Sequence, residues 1–333
     1  MAEVTITQLA PVLFSAAQEV SAEPTGALQG INLNFDNKGV AKDDSVKVPV
    51  VPVQDTDDFS PSNGFPAGES QTALAEEVTI SETKKTKPMS LSGEKILSLE
   101  NGGNYEEWVR QWALQSMRSL RNLAEKAACE AIKEGASRAA GTKGETPFDS
   151  TLNDLGKVRK ILRANGTPFT DAQFVCGTEA EANLLNLAII QQAQAAGSDA
   201  ERRSGIIGDQ FGFKIRPSGG IELHDSGDYD GDGETTSDAD AGLRTVTVGS
   251  QGTGTIKKGD VFYFTDNDPQ HLYVSNAETD LGSGGDITIN RPGFVISTGD
   301  GKTQVGADVD YTPSFAFERQ AVVGAIRPPM IKD

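Results

Sequence analysis

A single long helical pattern between Asn104 and Ala139 constrains the fold of this chain more than any other feature. Apolar residues recur at helical spacing from Tyr105 to Ile132, and charged residues such as Glu125 fall on the other face. At a rise of 1.5 Å per residue such a helix would be roughly 50 Å long. A compact domain rarely needs that length to cross its own core, so we expect an elongated strut.

The start of this helix carries capping signals. Asn104 is a favourable N-cap residue, and Glu107 stands three positions further on, as in a capping box. Trp108 and Trp112 follow one turn apart, and we expect both to be core residues that pack the helix against the β part of the same subunit.

The composition argues against several classes of protein. Only 37% of the 333 residues are hydrophobic, and 36 glycines favour a chain with long loops or arms. The formal net charge of -18 repels nucleic acid at long range, so sequence-specific nucleic acid binding is not expected. The N-terminus lacks a signal-peptide pattern, and no apolar run approaches the roughly 18 residues of a membrane span. We therefore expect a soluble chain, made in the cytoplasm, with no membrane partner.

The two cysteines, Cys129 and Cys176, fit neither a disulfide framework nor a metal-binding motif. We expect both to be buried thiols.

The sequence of the first 95 residues predicts extended arms and not a packed core. Residues 1–44 read as an extended arm with one short helix at Val12 to Gln18. The strand pattern at Val46 to Val53 is interrupted by prolines, and the polar alternating stretch from Glu77 to Ser92 is predicted to pair with it as a long hairpin. Such a hairpin has almost no apolar face, so we expect it to lie on a neighbouring subunit.

Lys84, Lys85 and Lys87 form a basic cluster at the end of this hairpin. Two interpretations stay open. The lysines either protect an edge strand from aggregation or meet acidic groups of an adjoining subunit.

The stretch from Phe148 to His224 alternates helix and strand patterns and predicts a compact α+β unit. A helix closed by Gly166 comes first, and a strand around Cys176 leads into a helix with Thr178 as its N-cap. Two short strands are then predicted around a turn at Ser218 to Gly220.

From Asp225 to about Lys302 the pattern changes to an acidic loop and short β runs, which predicts a β-rich insertion. These runs are TVTVGS, TIKKGDVFYFT, HLYVSN, DITINR and FVIST. A final strand candidate lies within Ser314 to Met330.

The acidic loop contains half of a calcium motif. Asp228, Asp230 and Asp232 alternate before Gly233, so their carboxylates could converge on one hard cation. The twelfth position, where a calcium loop needs a bidentate Glu, is Ala239. A calcium site and a solvated acidic turn are therefore both open, and no cofactor is required.

No catalytic signature is present in the sequence. His224 and His271 lie at predicted strand ends with no nucleophile motif nearby, and no glycine-rich stretch matches a phosphate loop or a dinucleotide fingerprint. We expect that the protein is not an enzyme.

Three stretches resemble the major capsid (coat) proteins of tailed bacteriophages, which share the HK-ninety-seven fold. Ser314–Met330 resembles the closing strand of that family, Thr245–Asp266 resembles the start of the β-rich insertion in short-tailed-phage coat proteins, and Ile206–Ser218 is also similar. The order of arm, hairpin, long helix, α+β unit and return strand resembles the family over nearly the whole chain. At Glu318, before Arg319, the sequence departs from the His that the family often has.

The resemblance implies an α+β, HK-ninety-seven-type fold in six parts. These are an N-arm (1–44), an extended E loop (45–95), a spine helix of the peripheral domain (96–140), an axial domain (141–224), the β-rich insertion with its acidic loop (225–302) and a return strand to the peripheral domain (303–333).

The resemblance further implies a structural protein that self-assembles, as hexamers and pentamers, into the icosahedral shell of the virion around phage DNA. Implied partners are a scaffolding protein, a portal and, in some relatives, a decoration protein, with assembly in the host cytoplasm. Two alternatives stay open: a cellular protein compartment built from the same fold, and a secreted or surface calcium-binding, β-rich adhesin-like protein.

Overall fold

The computed structural model divides the chain into two compact units. The first unit comprises Met1–Gly30 and Thr86–Arg319, and the second comprises Ile31–Lys85 and Gln320–Asp333. The structure describes residues 24–33, 43, 45–50, 74–80, 84, 86–87, 90–142, 144–187, 209–229, 234–236, 239–249, 253–264, 271–297, 304–306 and 309–326. The helix predicted at Val12 to Gln18 lies outside these residues.

The second unit contains the predicted hairpin. Strands β1 (Ser45–Val50) and β2 (Leu74–Thr79) pair antiparallel along their full length as a two-stranded sheet. Pro49 stands opposite Ala75, which is tolerated because a strand of a two-stranded sheet has one open edge. The predicted hairpin forms, but its second strand is placed wrongly, since only Glu77–Thr79 of the predicted stretch from Glu77 to Ser92 lies in β2.

The first unit contains five described helices: α1 (Gly26–Gly30), α2 (Gly93–Asn101), α3 (Tyr105–Gly135), α4 (Asn153–Ala164) and α5 (Thr178–Asn186). The predicted long helix is α3, which has 31 residues and is therefore about 46 Å long. It ends at Gly135 rather than near Ala139, because Ala136 turns to an extended conformation with ψ 149°. Two residues later the chain forms strand β3 (Arg138–Ala139) and pairs with another strand.

The predicted capping box at the start of α3 is wrong. The helix begins after Asn104 as expected, but the Asn104 side chain makes no capping hydrogen bond. Glu107 instead accepts hydrogen bonds from Gln111 at 2.7 Å and from Arg110 at 3.3 Å. Glu107 therefore pairs with residues one turn further along the helix surface instead of with the backbone at Asn104.

The buried face of α3 also differs from the prediction. Its buried residues are Val109, Ala113, Glu125, Cys129 and Ile132. Trp108 and Trp112 are only half-buried, so their predicted core position is wrong. The prediction that Glu125 lies on the solvent face is also wrong, because its carboxylate accepts hydrogen bonds from distant parts of the chain.

A mixed sheet with strand order β14-β4-β6-β5 forms the α+β part of the first unit. Its members are β4 (Ala172–Cys176), β5 (Asp209–Gln210), β6 (Phe213–Pro217) and β14 (Phe315–Glu318). Strand β4 is buried throughout and runs parallel to β6 and antiparallel to β14. Side chains of α4, α5 and this sheet share one core, built around Phe148, Leu155, Phe174, Leu184 and Phe213.

Two local predictions in this part need correction. The turn between β5 and β6 lies at Phe211 and Gly212, which have φ 52° and 83°, and not at Ser218 to Gly220. The N-cap of α5 is Gly177, and Thr178 is the first helical residue. The helix closed by Gly166 is confirmed, since α4 ends just before that glycine, whose φ is 76°.

The predicted β-rich insertion contains strands β7 (Thr245–Val248), β8 (Thr255–Ile256), β9 (Val261–Phe264), β10 (Leu272–Val274), β11 (Thr279–Asp280) and β12 (Gly285–Thr288). The described part of the FVIST stretch, residues 294–297, is not a strand. One strand outside the insertion, β13 (Gln304–Gly306), pairs with β9, and β3 pairs with β10. The insertion has its own core, which includes Phe262, Phe264, Tyr273 and Phe294.

The described helices include none that combines the length and the apolar character needed to cross a membrane.

Candidate functional site

A buried carboxylate on α3 binds three groups from distant parts of the chain. Glu125 is 1% exposed. Its Oε1 atom accepts hydrogen bonds from the backbone N–H of Ala27 at 2.7 Å and from the Ser218 hydroxyl at 2.6 Å, and Oε2 accepts one from the N–H of Leu28 at 2.9 Å. N–H groups in the first turn of a helix have no intrahelical partner, so Glu125 caps α1 from outside.

Close backbone packing surrounds this carboxylate. A Cβ atom at Gly220 would lie 2.7 Å from Cγ of Glu125, and one at Gly26 would lie 2.5 Å from the carbonyl oxygen of Pro217. Only glycine fits at both positions without a shift of the backbone. We call Glu125, Ser218, Gly220 and the segment Pro24–Leu28 the Glu125 junction.

Further hydrogen bonds hold the segment that precedes α1. The Arg121 guanidinium donates to the Thr25 hydroxyl at 3.0 Å, and the N–H of Gly219 donates to the carbonyl of Pro24 at 2.9 Å. The junction therefore fixes residues near the start of the chain against the long helix and against the loop after β6.

The cysteine nearest to the junction is not reactive. Cys129 lies with its Sγ 3.6 Å from the Ser218 hydroxyl, and burial raises the pKa of its thiol to about 11. Burial likewise raises the pKa of Cys176 to about 12. Both thiols are free and buried, which confirms the prediction, and both stay protonated near neutral pH.

A second buried carboxylate lies at the base of the insertion. Asp260 is fully buried, and its Oδ1 lies 2.8 Å from Nε2 of His224. Its Oδ2 accepts hydrogen bonds from the N–H groups of Lys257 at 2.7 Å and Gly227 at 3.0 Å. The Asp260 side chain therefore holds together the turn before β9, through Lys257, and the segment that leads into the insertion, through Gly227.

The two ends of the insertion meet at this point. The N–H of His224 donates to the carbonyl of Tyr311 at 2.8 Å, and the reciprocal bond is 3.3 Å long. The Tyr311 ring packs edge-on against the His224 imidazole, with 5.1 Å between ring centroids, and its hydroxyl donates to the carbonyl of Gly259. Burial raises the pKa of the Tyr311 phenol above its usual range.

The His224–Asp260 pair has the composition of a catalytic dyad but a structural role. The imidazole is 4% exposed, and the contacts described for it are with Asp260 and Tyr311. Among the described residues, no hydroxyl or thiol hydrogen-bonds to this ring as the nucleophile of a catalytic dyad would. His271, the other histidine considered above, has a pKa lowered by burial and then by the charge of Arg138.

The structure describes only part of the proposed calcium loop. The Asp228 carboxylate accepts hydrogen bonds from the N–H of Thr255 at 2.9 Å and from its hydroxyl at 3.1 Å, and these bonds lower its pKa. Asp230 and Asp232 lie outside the described residues, so calcium binding stays a prediction. Within the described ranges, no group of three or more His, Cys, Asp or Glu side chains is placed to hold a metal ion.

The basic cluster of the hairpin is described only at Lys84 and Lys87, since Lys85 lies outside the described part of the chain. Both interpretations of these lysines therefore stay open.

No sequence motif predicts the Glu125 junction or the His224–Asp260 pair. A single Glu on a charged helix gives no sign that it will be buried. Asp260 follows a glycine in a short turn, which is a weak signal.

The sequence matches no family profile and no curated protein at a significant level. Three solved structures are similar to the chain. A chain of Mycobacterium phage Che8 has 13% identity and a TM-score of 0.48, with 83% of this chain and 91% of that chain covered. A chain of the mature capsid of bacteriophage PhiM1 has 10% identity and a TM-score of 0.36, with coverage of 89% and 85%. A chain of the capsid of cyanophage P-SCSP1u has 13% identity and a TM-score of 0.40, with coverage of 80% and 85%.

These three are among the solved chains that are similar to this one; all three are phage structures, and two are described as capsids. At these identities and TM-scores, the likeness transfers no residue-level role to this chain.

Proposed function

We propose that this chain is the major capsid protein of a tailed bacteriophage, a structural subunit with an HK-ninety-seven-type fold. Copies would assemble as hexamers and pentamers into an icosahedral shell around phage DNA. The observation that carries the proposal is the β1–β2 hairpin.

The described side chains of this hairpin form no buried face. The described side chains of β1 and β2 are half-buried or exposed, and none is buried. The ion pair between Lys47 and Glu77 is 3.4 Å long, with both side chains more than half exposed, so it contributes little stability. An isolated two-stranded hairpin is marginal in water, so this one needs the surface of another molecule.

The long helix supports the same interpretation. Only five of the 31 residues of α3 are buried, and its exposed residues include Leu120 and Leu123. Leu97 on α2 is also exposed. A helix of this length with so little of its surface covered suits a subunit that completes its packing through neighbouring copies.

The parts of the proposed subunit follow the sequence boundaries. They are an N-arm at 1–44, an E loop at 45–95, a spine helix at 96–140, an axial domain at 141–224, a β-rich insertion at 225–302 and a return strand at 303–333. The two compact units support the separation of the hairpin from the α+β part, because β1 and β2 fall in the second unit and the mixed sheet in the first.

The proposed partners are further copies of the chain, a scaffolding protein, a portal at one vertex and, as an option, a decoration protein. Assembly would take place in the host cytoplasm. The net charge of -18 supports this proposal, because an acidic inner surface of the shell would repel packaged DNA and would not bind it non-specifically.

The test is to express the full chain with and without a co-expressed scaffolding protein, and to examine it by negative-stain electron microscopy and light scattering. Closed polyhedral particles are expected. A stable monomer under both conditions, with melting that rises on addition of calcium, would contradict the proposal and favour the adhesin-like alternative.

A deletion tests the role of the hairpin directly. Removing Phe59 to Ser70 should leave the circular dichroism spectrum of the subunit unchanged and strongly reduce the yield of closed particles. An unchanged particle yield would show that the hairpin is not needed for assembly.

A further inference from the structure

Two neighbouring turns of the β-rich insertion expose three large apolar side chains. Leu243, Val295 and Ile296 are 51%, 42% and 41% exposed. The turns are joined by two hydrogen bonds of 2.8 Å, from the N–H of Gly242 to the carbonyl of Phe294 and from the N–H of Phe294 to the carbonyl of Leu243. We call Leu243, Val295 and Ile296 the apolar patch.

The backbone beneath the apolar patch is firmly held. The Phe294 side chain is buried in the core of the insertion, with its ring centroid 5.1 Å from that of Tyr273. Gly293 has φ 90°, and a Cβ there would lie 2.4 Å from the carbonyl oxygen of Gly242. The patch is therefore presented by a pre-organised surface, which lowers the entropic cost of binding.

Arginines flank the patch in an otherwise acidic region. Residues 225–297 contain thirteen acidic and four basic residues. Two of the four are exposed and lie near the patch in sequence: Arg244 directly follows Leu243, and Arg291 is four positions before Val295. A third, Arg138 of β3, donates a hydrogen bond to the carbonyl of Gly293. Apolar side chains with adjacent arginines are a typical composition for a protein interface.

We infer that the apolar patch and its flanking arginines dock on an acidic surface of a second copy of this chain. Three side chains cannot supply the roughly 800 Å² that each partner contributes to a standard interface, so the charged surroundings must take part. With a net charge of -18, each copy offers extensive acidic surface, which complements the arginines.

The same charges disfavour a symmetric contact in which the two patches face each other directly. Two identical patches facing each other would bring their arginines together, and like charges at an interface repel. The contact is therefore heterologous, and contacts of this kind build rings and extended assemblies rather than isolated dimers. The inference rests on the proposed function and specifies one surface through which the shell would assemble.

The experiment compares the self-association of full-length variants by sedimentation velocity over a range of concentrations, with particle formation followed in parallel. The first variant combines Val295→Ser with Ile296→Ser. Its matched control is Leu223→Ser, which also removes a well-exposed apolar side chain but lies outside the patch. A second test variant, Arg244→Glu, reverses one exposed charge and leaves the apolar residues intact. Circular dichroism and melting check that each variant folds.

The concentration needed for half-maximal association should rise about tenfold in the double variant and in Arg244→Glu, and should change little in Leu223→Ser. The inference is overturned if the wild type stays monomeric, or if neither test variant associates more weakly than the control. Wild-type oligomers that never close into particles would contradict the proposed function alone, because the docking contact would still be measurable.

Discussion

The Glu125 carboxylate accepts a hydrogen bond of 2.6 Å from the Ser218 hydroxyl, although the two residues are 93 positions apart. The same carboxylate accepts two backbone N–H groups of α1, so one side chain joins the long helix, the end of β6 and the segment near the start of the chain. Buried charges are expensive unless they are fully hydrogen-bonded, and this one meets three donors.

Replacing Glu125 with Ala should lower the free energy of unfolding by about 3 kcal/mol, because it leaves three buried donors without a partner. Urea denaturation followed by circular dichroism measures the change. Glu130→Ala is the matched control, since Glu130 lies on the exposed surface of the same helix and should change stability by less than about 0.5 kcal/mol. Equal effects of the two substitutions would contradict the structural role of Glu125.

Replacing Gly220 with Ala should destabilise the chain by about 1–3 kcal/mol, because the new methyl group would overlap the long helix at Glu125. Gly156→Ala is the control. It lies within α4 with open space around it, so the same chemical change should stabilise the helix by about 0.5–1 kcal/mol. The melting temperature should therefore fall for Gly220→Ala and rise for Gly156→Ala, and an unchanged or raised melting temperature of Gly220→Ala would show that Gly220 is not tightly packed.

Replacing Asp260 with Ala should loosen the base of the insertion, because it removes the acceptor for His224, Lys257 and Gly227. A loss of about 3 kcal/mol is expected from these unpaired buried groups. Hydrogen exchange should accelerate in β9 and around Tyr311 and stay unchanged in α4. Uniform acceleration throughout the first unit would mean that the pair supports global rather than local stability.

Stability should fall as the pH rises from about 9 towards 11. The ordinary pKa of a thiol is 9.0, and burial raises the pKa of Cys129 to about 11 and that of Cys176 to about 12. Between these values the unfolded chain loses thiol protons that the folded chain keeps, so deprotonation favours unfolding. Denaturation midpoints measured at several pH values should decline less steeply for a double Cys129→Ala, Cys176→Ala variant. An identical slope would contradict the assigned burial.

Elements with a strong local pattern could be predicted from the sequence. The long helix was identified by its apolar periodicity, α4 by its closing glycine, and β4 by its buried run around Cys176. The hairpin was predicted from the alternation of polar residues after Glu77, but the strand that pairs with β1 begins three residues earlier, at Leu74, and ends at Thr79. These patterns act over a few neighbouring residues, which is the range that sequence reasoning covers well.

Features that depend on distant contacts could not be predicted. Arg138 and Ala139 continue a helical pattern, but pairing with β10 draws them into a sheet. Glu125 looks like a solvent-facing residue until Ala27, Leu28 and Ser218 are placed around it. The glycine at 212 was the available signal for the turn after β5, and the more prominent glycines at 219 and 220 serve the packing of the junction instead.

The paired ends of the insertion have an evolutionary consequence. His224 and Tyr311 are hydrogen-bonded to each other through their backbones, so the polypeptide leaves the α+β part and returns to it at nearly the same place. A short turn could replace most of the chain between them, although Arg138 and Ala139 would then lose the strand β10 with which they pair. The insertion is therefore close to a separable module, and a lineage that gained, lost or exchanged it would have to adjust mainly the residues that follow α3.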